Sequence, residues 1–397
     1  MNIKFSYIIV VMAAMLLTSC ATKNIINTNI LKDETLKQIA NDPAHEVQII
    51  YTQVNKKDKT FKTHTFNVNP EKYFYPASTV KMPIAILALQ KLNELKGRGV
   101  EIDRTTAMFT GAFRANQTPS FVDTTTMDKK PTIERYIQKI FAVSDNDAFN
   151  RLYEFLGQDY INQSLRKNGA FTTSVINHRL SVTGLTPEDN RYSNNIRFFG
   201  INSMLYDKPE EYAKTEWKHT ATDAVKGKGY MADGQLVNQP FDFTGKNFYN
   251  LTDMEGTLQR IMFPEFFPAE KRFDLKEDDY TFLKKCMSDL PKEYSFYKNN
   301  PQYYDSYVKF LMFGDSKEAM DADIKIYNKV GNAYGYLIDC AYIENKSKDI
   351  GFFLTAVIHV NKDGVFNDDK YEYQEIGLPF LAKLGRAVYE YELVNKK

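Results

Sequence analysis

Histidine is scarce in this chain. There are five in 397 residues, at His45, His64, His178, His219 and His359, and none has the spacing of metal ligands. Each reads as a surface or core residue, and no metal or other cofactor is expected. An excess of charge of one sign is also lacking: the formal net charge is +1. Nucleic acid and acidic partners therefore have no electrostatic basis. No apolar run approaches the ~20 residues a membrane-spanning helix needs. Internal repeats and low-complexity segments are missing, which excludes solenoids and arrays. Cysteine is limited to Cys20, Cys286 and Cys340, too few for a disulfide framework. Cys286 and Cys340 could pair in an oxidising compartment or stay as two buried thiols, and their spacing leaves both open.

What remains is ordinary globular material, 43% hydrophobic and 25% charged, long enough for one large domain or two. Tyrosine (26) and phenylalanine (28) are plentiful, which suits a core and a cleft that grips a polymer or a sugar. The N-terminus carries Lys4, then an apolar run from Ile8 to Leu17, then Leu17-Thr18-Ser19-Cys20. This resembles the bacterial lipobox, which implies a signal peptide over 1–20, a lipid on Cys20, and a polar tether over 21–29. The chain is then exported and anchored by its acyl chains to the cell-envelope membrane without spanning it.

Along the chain, residues 30–40 have helical spacing. Residues 47–52 and 61–68 read as strands joined by a hairpin turn at Lys56-Lys57-Asp58-Lys59. A long helix follows Tyr75-Pro76 and stops at Gly97 and Gly99. Helices are expected over 131–143, 147–156 and 276–290. Thr252-Asp253-Met254-Glu255 has the form of a capping box opening another helix. Residues 213–245 break into Gly, Lys, Asp and Asn and read as an insertion with a hairpin near Asp233-Gly234. Strands return over 324–330, 336–343 and 352–360, and a helix closes the chain. Two strands lie early, three late, and helices fill the middle. The expected fold is α+β: one antiparallel sheet with terminal helices on one face and a mainly helical lobe, about 85–320, on the other. Residues 30–397 form that domain, expected to be a monomer.

One stretch places a serine and a lysine inside an apolar helix, where each costs free energy away from water. Ser78 and Lys81 are three apart and share a helix face. Ser78 follows Pro76 at the helix start, where free N–H groups and the positive dipole end favour an alkoxide. Lys81 can take the serine proton only as a neutral amine, a state that burial and a nearby cation promote. Ser-x-x-Lys alone is weak: the chain also has it at Ser164, Ser295 and Ser306, without a following apolar helix. Ser144-Asp145-Asn146 joins two predicted helices and by itself reads as a helix cap. Lys329-Val330-Gly331 ends an alternating run. Gly331 would let a substrate lie against the strand edge, and the Asn332 N–H is a candidate oxyanion donor.

In this order and context, "YPASTVKMPIAILAL", "VSDNDAFNRLYEFLG" and "KVGNAYGYLIDC" resemble the penicillin-recognising serine hydrolases, most closely the class A β-lactamases. The resemblance implies a β-lactamase/transpeptidase-like fold and a serine hydrolase working through an acyl-enzyme. It makes Ser78 the nucleophile and Lys81 the lysine hydrogen-bonded to it. Ser144 relays a proton to the leaving nitrogen, and Asn146 holds substrate and Lys81. Lys329 raises the local positive potential, and the N–H groups of Ser78 and Asn332 hold the oxyanion. The implied partner is a β-lactam or a peptidoglycan-derived peptide. A D-alanyl-D-alanine peptidase or esterase on the same scaffold, or a non-catalytic envelope lipoprotein, are the alternatives.

Two positions depart from the family pattern. Val330 stands where Thr or Ser is usual and cannot hydrogen-bond a substrate carboxylate. In "NHRLSVTGLTPEDNRYSNN", Arg179 resembles an arginine of the loop that carries the deacylating Glu. Ser181 falls where that Glu is expected, and Glu188 reads as a surface turn residue.

Overall fold

The computed structural model describes residues 25–395. The expected signal peptide, Cys20 and the first residues of the expected tether lie outside the described residues. The packed fold includes residues before the expected boundary at residue 30. Ile26 and Ile30 are buried in a short helical turn, Ile26–Ile30, because their apolar side chains pack with the C-terminal helix Leu378–Asn395 and the sheet. The asparagines between them read as tether.

Five strands form one antiparallel sheet: β1 (Gln48–Asn55), β2 (Thr60–Phe66), β3 (Ile324–Ala333), β4 (Tyr336–Asn345) and β5 (Ile350–His359). Their spatial order is β3-β4-β5-β1-β2, so the early hairpin joins the late strands through β1–β5 pairing, with Ile50 opposite Thr355. Alternate side chains serve different cores. Ile338, Cys340 and Tyr342 face the helical lobe, whereas Leu337, Ala341 and Ile343 face the terminal helices. Both faces are covered, which is why β4 reads as a nearly unbroken apolar run. Cys286 and Cys340 are both buried and free.

The lobe carries helices Lys81–Gly97, Ile133–Ala142, Asn146–Leu156, Leu251–Met262 and Glu277–Ser288. It is less helical than the sequence suggests. Strands Ala107–Thr110, Ile196–Phe199 and Met204–Lys208 form a small sheet of their own. The expected hairpin turn at Asp233-Gly234 joins Gly229–Ala232 to Gln235–Val237. That hairpin pairs in parallel with Val365–Phe366, and Lys226 bonds Glu46, so the insertion is fastened to the end of the sheet.

The expected capping box at Thr252–Glu255 does not form. The helix starts two residues earlier, at Leu251, and the Asn250 side chain caps it by accepting from Asp253 N at 2.9 Å. Glu255 instead turns under the sheet. Its oxygens accept from Thr52 (2.6 Å), Thr355 (2.9 Å) and Gln259 (3.1 Å).

Candidate active site

Ser78 lies on a short 3-10 turn, Ala77–Val80, which runs directly into the helix beginning at Lys81. Pro76 precedes the turn, and its carbonyl accepts from Thr79 N and Thr79 Oγ1 (3.1 and 2.6 Å). The Ser78 N–H precedes the first N–H bonded within the turn, so it belongs to the donors that a helix start leaves free. Strand β3 packs against this turn at Gly331. A Cβ there would meet the Pro76 carbonyl oxygen at 2.7 Å, and Ala77 Cβ and Thr79 Cγ2 at 3.2 Å. The glycine therefore serves contact with the turn that carries Ser78, not substrate approach as its sequence position suggested.

The edge of β3 remains open. Ala333 and Tyr336 flank a two-residue hairpin turn whose residues, Tyr334 and Gly335, both have left-handed φ, +54° and +77°. Such a turn is closed by a doubly hydrogen-bonded pair. Alternation then makes Gly331–Ile338 another such pair and Asn332–Leu337 a non-bonded one. The Asn332 N–H thus points away from β4, off the free edge. The Val330 side chain is buried in the core beneath the sheet, so this position offers no hydroxyl to a ligand.

Lys81 is fully buried. Its ammonium nitrogen donates to the Ser144 carbonyl, to Asn146 Oδ1 at 2.6 Å and to Ser144 Oγ at 3.3 Å. The direct Ser78–Lys81 hydrogen bond expected from the sequence is absent among the described residues. Ser144 explains this: its left-handed φ of +58° turns its carbonyl onto Lys81, and Asn146 takes a second donor. Burial pulls the Lys81 amine down to about 7, only partly offset by the Asp145 carboxylate. As a neutral amine it has two hydrogens, matching the two carbonyl-type acceptors, and keeps a lone pair for a hydroxyl proton.

Lys329 points from β3 toward the lobe and is 2% exposed. It donates to Ser144 Oγ and the Val330 carbonyl, each at 2.9 Å. The Ser144 hydroxyl therefore bridges the two buried lysines. Burial holds the Lys329 ammonium far below its ordinary range, and the charge on Lys81 lowers it further. Behind β3, Lys309 donates to Asn328 Oδ1 at 2.7 Å, and Asn328 donates to Asp339 at 2.7 Å. Asp339 also accepts from the N–H groups of Phe310 and Leu311. This network fixes the strand carrying Lys329. The sequence reading missed it, although Lys309, Asn328 and Asp339 are polar residues in otherwise apolar runs.

Asn146 connects the site to the loop that follows. Its amide donates to Ser181 Oγ at 2.8 Å, so Ser181 borders the same site as Lys81. Arg179 is buried and pairs with Glu154 at 2.9 Å, while its N–H groups also reach the Tyr192 carbonyl at 2.7 Å. Asn190 accepts from Arg179 N and donates to the Thr186 carbonyl. The loop is thus clamped from within. Glu188 faces solvent and bonds Arg191 at 3.2 Å, away from Lys81. Ala77, Ser144, Ser181 and Tyr334 all have left-handed φ without being glycine, a concentration of backbone strain typical of functional sites.

The structure brings Ser78, Lys81, Ser144, Asn146, Lys329, Gly331 and Asn332 to the junction of the lobe and the free edge of β3. The profile of the beta-lactamase enzyme family matches residues 31–258, more than half of the chain, and includes Ser78, Lys81, Ser144 and Asn146. No curated protein matches the chain by sequence. Solved structures match over nearly its full length. The TLA-1 extended-spectrum beta-lactamase is 12% identical, with 90% of this chain and 97% of that one covered and a TM-score of 0.52. A variant of the class A beta-lactamase of the last common ancestor of Gram-negative bacteria is 13% identical, covering 92% and 99%, at 0.51. PBP-A is 14% identical, covering 91% and 95%, at 0.51. At these identities the structures show a shared fold, and that fold extends to the strand carrying Lys329, beyond the family match.

Proposed function

The chain belongs to the beta-lactamase enzyme family, and from that premise we propose that it is a serine hydrolase whose Ser78 forms an acyl-enzyme with β-lactams or related amides. One observation carries the reading. The Ser144 hydroxyl joins two buried lysines, Lys81 and Lys329, beside the turn that holds Ser78.

In this reading neutral Lys81 takes the Ser78 hydroxyl proton as Oγ attacks the substrate carbonyl carbon. The N–H groups of Ser78 and Asn332 receive the developing oxyanion. As the carbon–nitrogen bond breaks, the proton passes from Lys81 through Ser144 Oγ to the leaving nitrogen. Lys329 keeps the hydroxyl oriented, and with Lys81 neutral the repulsion that lowers Lys329 is relieved, so that its protonated form adds positive potential. Asn146, bonded to Lys81 and Ser181, holds the amine in place.

Hydrolysis of the acyl-enzyme is slow in this account. Ser181 occupies the position from which a loop carboxylate would activate water, and the nearby Glu188 is engaged by Arg191 on the surface. This favours long-lived acylation, and it keeps a peptidase or esterase on the same scaffold as the second reading. A lipid on Cys20 would hold the domain at the envelope membrane, where peptidoglycan-derived peptides are within reach.

The test is a chromogenic cephalosporin mixed with protein cut after Cys20. A burst of about one equivalent, then a much slower steady rate, is expected from acylation outrunning deacylation. Ser78→Ala should abolish both phases. Turnover that survives Ser78→Ala would refute the assignment.

A further inference from the structure

Beside the candidate site lies a cavity of 670 Å³, lined among others by Tyr75, Tyr334, Ser181, Asp242 and Lys246. Tyr75 precedes the nucleophile turn, and its ring packs edge-on to Tyr334 at 4.8 Å. Tyr334 follows Asn332 in the β3–β4 hairpin. Ser181 closes the cavity on the loop side. The last wall, Asp242 to Lys246, is the return of the insertion into the lobe. The cavity therefore continues the free edge of β3 past the oxyanion donors. Ser144 and Lys329, which face a leaving nitrogen in the proposed reaction, lie at the other end of the site. An acylating substrate would direct the acyl portion, not its leaving group, into this space.

The charges in the cavity are unequal. Arg179 is consumed by Glu154 and backbone carbonyls. His178 is kept neutral by burial, which lowers its ring to about 4. The Asp242 carboxylate accepts from Thr244 N at 2.8 Å, closing the local turn. Lys246 has no hydrogen-bond or ion-pair partner for its ammonium among the described residues. Its ammonium lies 5.9 Å from the centroid of the Phe241 ring, the outer limit of a cation–π contact. Burial lowers its pKa, and no carboxylate offsets that effect. A half-buried ammonium without a counter-charge, facing a cavity, is available to pair with a ligand anion.

We infer that Lys246 binds a carboxylate on the acyl side of the substrate, so that the enzyme selects amides whose acyl group ends in an acid. This rests on the acylation of Ser78 proposed above and adds a substrate class to it. The aromatic walls would hold the apolar stem of such a group, and the ammonium its terminus. The end of the insertion thereby acquires a role: it leads directly into Lys246, the selecting cation, at a site built by the rest of the fold.

The experiment compares two cephalosporins with the same nucleus and the same 3-acetoxymethyl group. Glutaryl-7-aminocephalosporanic acid ends its side chain in a carboxylate, whereas cephalothin carries a neutral thienylacetyl group. Second-order acylation rate constants are read by intact mass, and the quantity of interest is their ratio, glutaryl over thienylacetyl. Any inactive fraction cancels in that ratio. Lys246→Met should lower it about tenfold and Lys246→Arg should keep it near the wild-type value, as expected for a charge-assisted contact. A Lys246→Met ratio within twofold of wild type overturns the inference while leaving Ser78 acylation standing. Failure of both compounds to label the wild-type protein overturns the inference together with the reading it rests on.

Discussion

Glu255 is a carboxylate 2% exposed, under the sheet, with hydroxyl and amide donors but no cation beside it. Burial raises its pKa from 4.5 to about 7, against the lowering effect of Thr52, Thr355 and Gln259. The folded value lies above the unfolded one. The native state therefore holds the proton more tightly, and stability falls as pH rises between the two values. Moving from 4.5 to about 7 gives a full cost of about 3.4 kcal/mol, of which about 2.5 kcal/mol develops between pH 5 and pH 8. Glu255→Gln removes the titration and retains the contacts, with the amide oxygen accepting from Thr52 and Gln259 and the amide nitrogen donating to Thr355. Urea denaturation of both proteins at several pH values measures the difference in unfolding free energy. That difference should grow in favour of the glutamine by about 2.5 kcal/mol from pH 5 to pH 8. Groups common to both proteins cancel in it. A difference that does not change with pH would refute the claim that this carboxylate is neutral in the fold near neutrality.

Acylation should depend on pH through Lys81, which burial lowers to about 7. The neutral amine is the acting form, so the second-order acylation rate should rise up to that region and level off above it; a rate that falls through pH 7 would contradict the assignment. Gly331→Ala places a methyl 2.7 Å from the Pro76 carbonyl oxygen, and should cost about 1–3 kcal/mol in denaturation and slow acylation with it. An unaltered acylation rate would show that β3 does not position the Ser78 turn. Ser181→Glu puts a carboxylate beside the Asn146 amide, and should raise the slow steady rate after the burst at least about tenfold; an unchanged steady rate would show that the missing carboxylate does not limit deacylation.

The five-strand sheet and its helices are legible in the sequence because both faces of the strands are buried and the connecting turns are short. Ser78, Lys81, Ser144 and Lys329 stand out for a related reason, as polar residues in apolar or tightly turned settings. What the residues conceal is direction. Gly331 reads as placed for a ligand, yet its bare Cα faces Pro76. Thr252 and Glu255 had the letters of a capping box, but Asn250 took the cap because its side chain reaches Asp253 N. The Ser78–Lys81 bond is implied by the family resemblance, whereas the left-handed Ser144 draws the lysine elsewhere. Lys246 gave no signal, since a lysine among phenylalanines reads as surface until the fold places it beside Tyr75 and Tyr334.

The central claim, that Ser78 is an acylated nucleophile, meets its most direct test in intact-mass analysis during incubation with benzylpenicillin. The account predicts a single adduct with the mass of one penicillin, located by peptide mapping at Ser78, persisting long after free drug is removed and missing from Ser78→Ala. No adduct, or one mapped to another residue, would contradict it.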